Sequence, residues 1–229
     1  MYQLPIVDDV RKEFKYLLQE ESFVTDKSGV KTIEIINACF IADEELIFGE
    51  VNDDYVKREL AWYKSMSLNV NDIPGGTPQI WKQVADKDGF INSNYGWCIY
   101  SKENGYQFAK VLEELVKNPL SRRAIMIYNR PSMHEDYNKN GMSDFMCTNA
   151  VQYFLRDGKL HASVYMRSND AIFGYKNDYA WQRYVQESLL QGINGRKGTV
   201  YALGDIGWNV GSLHVYERHF KLVEEYYAF

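Results

Sequence analysis

What the chain lacks narrows it first. No apolar run approaches the roughly 18 residues of a membrane-spanning helix, and the opening MYQLPIVDDVRKEF lacks the apolar core of a secretory signal. A soluble, cytosolic protein is the expectation, with no membrane partner. Cysteine is scarce: Cys39, Cys98 and Cys147 are far apart and odd in number. That excludes a disulfide framework and reads as free thiols in a reducing compartment. His134, His161, His214 and His219 are scattered, and with the cysteines they form no ligand spacing, so no metal is expected. Positive charge is not in excess. The 26 Lys and Arg face 31 Asp and Glu, a formal net charge of −5, so the overall field repels nucleic acid. A local basic pocket for a small phosphate stays compatible with that balance.

Aromatic residues are abundant at 15%, and hydrophobic residues reach 45%, enough for a substantial core in 229 residues. Patterning predicts helices over 7–23, 52–66 and 103–119, the first with Asp8 and Asp9 in its opening turn and the second capped by Asn52 or an adjacent Asp. A turn and short helix fit IPGGTPQIWKQVAD. Strands are predicted over 31–42, 122–129, 149–168 and 199–215, with Asp157-Gly158 marking a hairpin inside the third. A long helix begins at Ala171 or Asp178 and runs to about Gly192; YERHFKLVEEYY closes the chain as a helix. The expectation is one α+β domain, residues 1–229, with a large sheet covered by helices.

Several residues have both a plain and a chemical reading. Cys147 lies just before a strand in GMSDFMCTNAVQY. It is a small buried hydrophobe, or a nucleophile if positive charge favours its thiolate. The strand SVYMRS, antiparallel to the one after Cys147, brings Arg167 within reach. Arg122 and Arg123 are surface charge or a phosphate fork. Glu59 is solvated or, sharing a helix face with Trp62, a carboxyl in an aromatic pocket with a raised pKa, fit for a general base. His214 and Tyr216 alternate on a strand end and face one side, as satisfied core groups or as donors to a ligand hydroxyl. Asp178 in YKNDYAW is a helix N-cap or a ligand-reading acid.

In order, NPLSRRAIMIYN, DFMCTNAVQYFLRDGKLHASVYMRSNDAIFGYKNDYAW and WNVGSLHVYERH resemble the thymidylate synthase superfamily. TDKSGVKTIEIINACFIADE, INSNYGW and DYNKNGMSDFMCTN resemble its bacteriophage branch, the deoxycytidylate (dCMP) hydroxymethylases. The resemblance runs from about Phe23 to Phe220. It implies a thymidylate synthase-like fold and a homodimer formed through twisted sheets. It also implies 5,10-methylenetetrahydrofolate as one-carbon donor, a pyrimidine nucleotide as acceptor, and association with other phage nucleotide-synthesis enzymes as a further possibility.

Carried over by position, Cys147 is the nucleophile that adds to C6 of the base. Arg167 and Ser168 bind the 5′-phosphate, Arg122 and Arg123 reach it from the partner subunit, and Lys27 stands where synthases place a phosphate-binding arginine. His214 and Tyr216 hold the 3′-hydroxyl. Glu59 assists opening of the folate ring and activates water; Trp81, Asp170 and Gly174 lie by the folate; Tyr95 joins the network around C5. Asp178 replaces the asparagine of the synthases. An acid matches the N3 and N4 edge of cytosine and leaves an oxygen facing uracil O4. Thr148, Met166 and Val84 also depart from the synthase pattern. The activity implied is transfer of a one-carbon unit to C5 of dCMP with addition of water. A methylase acting on dUMP or dCMP is the alternative, and a non-catalytic nucleotide-binding subunit a third.

Overall fold

The computed structural model describes residues 4–25, 29–198 and 200–226. Helix α1 (Val7–Gln19) is followed by the short strand β1 (Val24–Thr25) and by β2 (Lys31–Ile41). Helices α2 (Asp53–Ser65), α3 (Gln79–Val84), α4 (Tyr95–Tyr100) and α5 (Gln107–Lys117) precede β3 (Ile125–Ile127) and the single turn α6 (Met133–Asp136). Then come β4 (Thr148–Arg156), β5 (Lys159–Asp170), α7 (Gly174–Lys197), β6 (Ala202–Tyr216) and α8 (Phe220–Glu224). The six strands form one mixed sheet in the order β1-β2-β6-β5-β4-β3. Only β5 and β6 are parallel, and α7 crosses between them. The α+β expectation holds. Among the described residues no helix is long and apolar enough to cross a membrane.

Strand alternation builds the core. Phe40, Trp208, Val164, Val151 and Met126 are register partners across five strands, and all are fully buried. Burying side chains of this kind contributes roughly 1.5–3 kcal/mol each. Helix α7 packs on β5 and β6, α5 on β3 and α7, and α1 on β2. The other face carries the row Ile127, Ala150, Tyr165, Asn209 and Cys39, none of which is buried.

Alternation breaks at one level in four strands. Inward residues run Ile206, Trp208, Val210 and then Leu213, Val215 in β6; in β5 they run Leu160 to Met166 by twos and then Asn169. In β4, Thr148 is followed by Val151, Tyr153 and Leu155. In β2 the step falls at Asn37, whose φ is 57°. Asn37 and Arg167 both lie level with Gly211, and the β4–β5 register shifts between Thr148 and Ala150. One extra residue per strand at a common level keeps the ladder paired while the sheet changes direction. Gly211 permits it, because a side chain there would sit 2.8 Å from the Arg167 carbonyl.

The Asp157-Gly158 hairpin forms as expected, both residues having positive φ (50° and 74°). Asn52 caps α2, its side chain accepting from the Tyr55 amide. Other boundaries move. Helix α1 stops at Gln19, and Glu21 has φ 52°. Helix α5 starts four residues late because Gly105 and Tyr106 both have positive φ. Strand β3 keeps only three residues, and α7 extends to Lys197. The capping role for Asp178 is wrong: α7 begins at Gly174, so Asp178 lies inside the helix, and its side chain is held elsewhere.

Helix α4 has no counterpart in the sequence-based expectation. Asn94 caps it through Trp97 N and donates to the Trp62 and Ser67 carbonyls. Gly96 allows α4 to touch α2, since a side chain there would lie 1.7 Å from the Tyr63 carbonyl oxygen. Gly96→Ala therefore forces the two helices apart, with an expected loss of about 3 kcal/mol or more, to be read as a fall in the urea midpoint with an unchanged denaturant slope.

Candidate active site

The sheet break and the α2–α4 contact bring most of the predicted residues together at one end of the sheet. Cys147 ends the loop before β4. Asp144 anchors that loop by accepting from the backbone amides of Asn92 (2.7 Å) and Ser93 (2.8 Å) and from the Ser93 hydroxyl (2.7 Å). The INSNYGW segment is thus tied to the cysteine loop on one side and to α2 on the other.

Arg167 pairs across from Cys147, as the antiparallel reading expects. Its amide donates to the Cys147 carbonyl (2.9 Å), and Nη2 lies 3.6 Å from Sγ. Nε and Nη2 also donate to the carbonyls of Met146 (2.9 Å) and Phe145 (2.7 Å), fixing the guanidinium plane while it stays exposed. Burial nevertheless pushes the Cys147 thiol up to about 11; Arg167 opposes that rise, and Asp178 and Asp144 add to it. The resting group is the thiol.

Two carboxyls lie on the helical side. Glu59 is 5% exposed on the α2 face it shares with Trp62. Its Oε1 accepts from the Tyr55 hydroxyl (2.6 Å) and the Trp81 indole (3.2 Å). Burial pushes Glu59 up to about 6 against those two bonds. Asp178 is pushed up to about 7, chiefly by burial and then by the charge of Glu59, while hydrogen bonds from Tyr95 and Asn169 pull it down. Asn169 Nδ2 donates to Asp178 Oδ2 at 2.8 Å. Tyr95 stacks on Tyr63 (centroids 5.1 Å apart) and accepts from the buried Thr148 hydroxyl (3.0 Å). Thr148 is therefore part of the same network.

The sugar-side candidates lie at the adjoining strand ends. His214 pairs with Asp170 across β5–β6, and its ring stands 5.0 Å from that of Tyr216. Ser168 pairs with Ser212, whose hydroxyl is 3.4 Å from His214 Nδ1 and donates to Glu34. Asp170 accepts from the amides of Ile172 (2.8 Å) and Phe173 (3.4 Å), shaping the turn into α7. Gly174 leaves room for Asn169: a side chain there would come within 2.9 Å of its amide nitrogen.

Arg122 and Arg123 do not join this group within the chain. Extending the Ile125–Gln152 pairing places Arg122 level with Leu155, eight residues from Cys147, roughly 26 Å along the strand. Arg122 is exposed, and Arg123 pairs with Glu114 at 3.1 Å. Lys27 lies outside the described residues. Sequence reasoning missed Asn169, Tyr55 and Asp144. Only Tyr55 left a signal, its i, i+4 spacing from Glu59.

The thymidylate synthase family model matches residues 13–228. This chain belongs to the thymidylate synthase family. It is 60% identical over 222 residues to the deoxycytidylate 5-hydroxymethyltransferase of Enterobacteria phage T4, covering 96% of this chain and 90% of that one. The phage T6 protein of the same name matches with the same identity and coverage. The thymidylate synthase of Bacillus atrophaeus is 32% identical over 170 residues, 71% of this chain and 70% of that one. Among solved structures, the thermostable thymidylate synthase A from Bacillus subtilis superposes with a TM-score of 0.69 at 24% identity, over 96% of this chain and 83% of that one, which shows the shared fold.

Glu59 and Asp178, both raised by burial, make stability depend on pH in a defined direction. Each binds its proton more tightly in the folded chain than in the unfolded one. Their contribution is intact below the ordinary carboxylate range and is lost as pH rises through about 6 for Glu59 and about 7 for Asp178. The free protein should melt at a lower temperature at pH 8 than at pH 5. Glu59→Gln and Asp178→Asn should each recover on the order of 1–2 kcal/mol at pH 8 and flatten the profile, as followed by thermal melts across that range.

Proposed function

We propose that the chain, acting as one catalytic unit over residues 1–229, transfers a one-carbon unit to C5 of dCMP with addition of water. The product is 5-hydroxymethyl-dCMP. This would supply a modified nucleotide for phage DNA in the cytoplasm of an infected host. The observation that carries the reading is the Asp178 carboxyl, half-buried beside Cys147 and raised to about 7. The names of the 60% identical phage relatives point the same way.

The chemistry follows from the residues. Cys147 Sγ forms a bond to C6, and the electrons of the 5,6 double bond become available at C5, which is otherwise too weak a nucleophile; C5 then loses its proton to a base, and elimination of Cys147 from C6 restores the double bond after water has added. Arg167 lowers the cost of the thiolate and, with Ser168, offers donors to a 5′-phosphate. His214 and Tyr216 face a sugar hydroxyl. Asp178 answers the cytosine edge. Protonated, it donates to N3 and accepts from the N4 amine; ionised, it accepts from both once N3 carries a proton. An ionised Asp178 sets an oxygen against a uracil O4 in that place, and a protonated one does the same while its proton is held on the oxygen facing N3; a mismatched buried polar edge costs roughly 1–3 kcal/mol.

The family uses methylenetetrahydrofolate, which supplies the carbon unit. Trp81, Asp170, Gly174 and Glu59 would hold it. The partly buried Trp81 indole and the exposed Phe173 ring before Gly174 offer flat apolar surface suited to its aromatic rings. Glu59, near neutrality in its pKa, can give a proton during ring opening and later take one from water. The uncovered sheet face, with Ile36 61% and Ile127 55% exposed, fits a second copy of the chain. Docked there, Arg122 and Arg123 of each subunit reach the partner's phosphate site.

Incubating dCMP and dUMP side by side with methylenetetrahydrofolate, with mass analysis of both products, tests the activity. The expected result is 5-hydroxymethyl-dCMP without dihydrofolate. Dihydrofolate absorbance appearing with dUMP instead would identify a methylase. In the same assay Asp178→Asn should lower dCMP turnover at least about tenfold and raise use of dUMP. An unchanged preference would rule out edge matching. For the shared site, Arg122→Ala and Cys147→Ser should each lose activity, and equal mixing of two inactive variants should restore about one quarter of parental activity, since half the dimers then carry one complete site. No recovery after verified subunit exchange would place Arg122 outside the partner's site.

A further inference from the structure

Asn169 occupies a core-facing position. Its register partner is Leu213, which pairs in turn with Ile35, and the amide is 3% exposed. An amide in such a row is costly unless both its ends are satisfied. They are. Oδ1 accepts from the Trp208 indole at 3.2 Å, and Nδ2 donates to Asp178 Oδ2 at 2.8 Å. Trp208 is itself fully buried in the central row of the sheet.

We propose that Trp208 is a positioning residue for base recognition: its indole N–H fixes the Asn169 amide so that the NH2 end faces Asp178. This rests on Asp178 reading the base. The indole nitrogen can only donate, so an oxygen must face it. The other end of the amide is then a donor, and a flip would set NH2 against N–H and oxygen against oxygen. With Asn169 always donating to Oδ2, that oxygen stays an acceptor, and a proton on Asp178 resides on Oδ1. The pattern presented to the nucleotide is thereby set from the core. Gly174 preserves the arrangement by leaving space beside the amide. Glu59, Tyr95 and Asp170 also act on the Asp178 carboxyl, and Tyr63 and Cys147 feel its charge.

Trp208→Phe removes the N–H and keeps the ring body. The dCMP-to-dUMP ratio of kcat/KM should fall about tenfold, and the inflection of the dCMP pH profile that Asp178→Asn abolishes should move upward, because the carboxylate loses a secured donor. Asn169→Asp keeps the bond to Trp208 and replaces the donor with an oxygen, so it should raise the same inflection further. It carries the test should Trp208→Phe not fold. A purely structural role would lower kcat/KM for both nucleotides alike and leave ratio and inflection in place; with Asp178→Asn still altering the ratio, that result overturns the proposal and spares the reading of Asp178. An unchanged ratio in Asp178→Asn would remove the base-reading role and this proposal with it.

Discussion

The site depends on the break that runs across β2, β6, β5 and β4. An unbroken strand sends every second residue to the same face, so a polar residue placed two positions on from a core residue is buried with it. One extra residue at a common level resets that parity without unpairing the ladder. Arg167 and Ser168 can then both lie outside the core while Asn169, immediately after them, turns inward. Cys147 lies at the same level, where the β4 register shifts. A bulge in β5 alone would have cost its neighbours their pairing. Asn37 and Gly211 supply the matching irregularities, one by accepting a positive φ and the other by lacking a side chain against the Arg167 carbonyl.

From that line the polar groups divide by surroundings. Arg167, Ser168 and His214 are at least partly open, where charged or hydroxylated parts of a ligand keep contact with water. Glu59 bonds Tyr55 and Trp81, and Tyr95, which bonds Asp178, stacks on Tyr63. Burial there raises both carboxyls towards neutrality, and their proximity adds to the rise for Asp178. The same burial weakens the folded state when both must ionise. Loss of stability and a carboxyl able to exchange protons near pH 7 are two aspects of one arrangement.

The sequence made the hairpin, the long helix and the central strands legible, because Asp157-Gly158 and the apolar periodicities are local signals. It made the Arg167–Cys147 approach legible through antiparallel pairing. It offered Asp178 as a cap or as a ligand-reading acid, since YKNDYAW carries the residues of a helix start, and only the cap fails. Asp170 ends β5 and its side chain bonds the amides that lead into Gly174, so the helix opens at Gly174, between the two expected starts. Helix α4 was hidden for a different reason. Six residues are too few for periodicity to show, and the helix exists because Asn94 and Gly96 fit against α2. Asn169 was hidden because simple alternation from Met166 puts it outside the core; only the extra residue reverses that.

On the proposed reading, recognition and nucleophile activation would meet in the charge of Asp178. That charge raises the Cys147 thiol, as Arg167 lowers it. When Asp178 is neutral, its contribution disappears and a thiolate beside Arg167 costs less. A cytosine N3 would accept from a proton held on the Asp178 oxygen that faces it and so favour the neutral acid, whereas uracil presents N3–H to that oxygen and favours the charged one. On that reading, the base that fits the edge would also be the base that lowers the cost of ionising the cysteine. The coupling needs the acid to be near its midpoint at working pH, since a carboxyl of ordinary pKa would remain charged with either base. Burial in the aromatic pocket, more than any contact with the nucleotide, is what places Asp178 in that range.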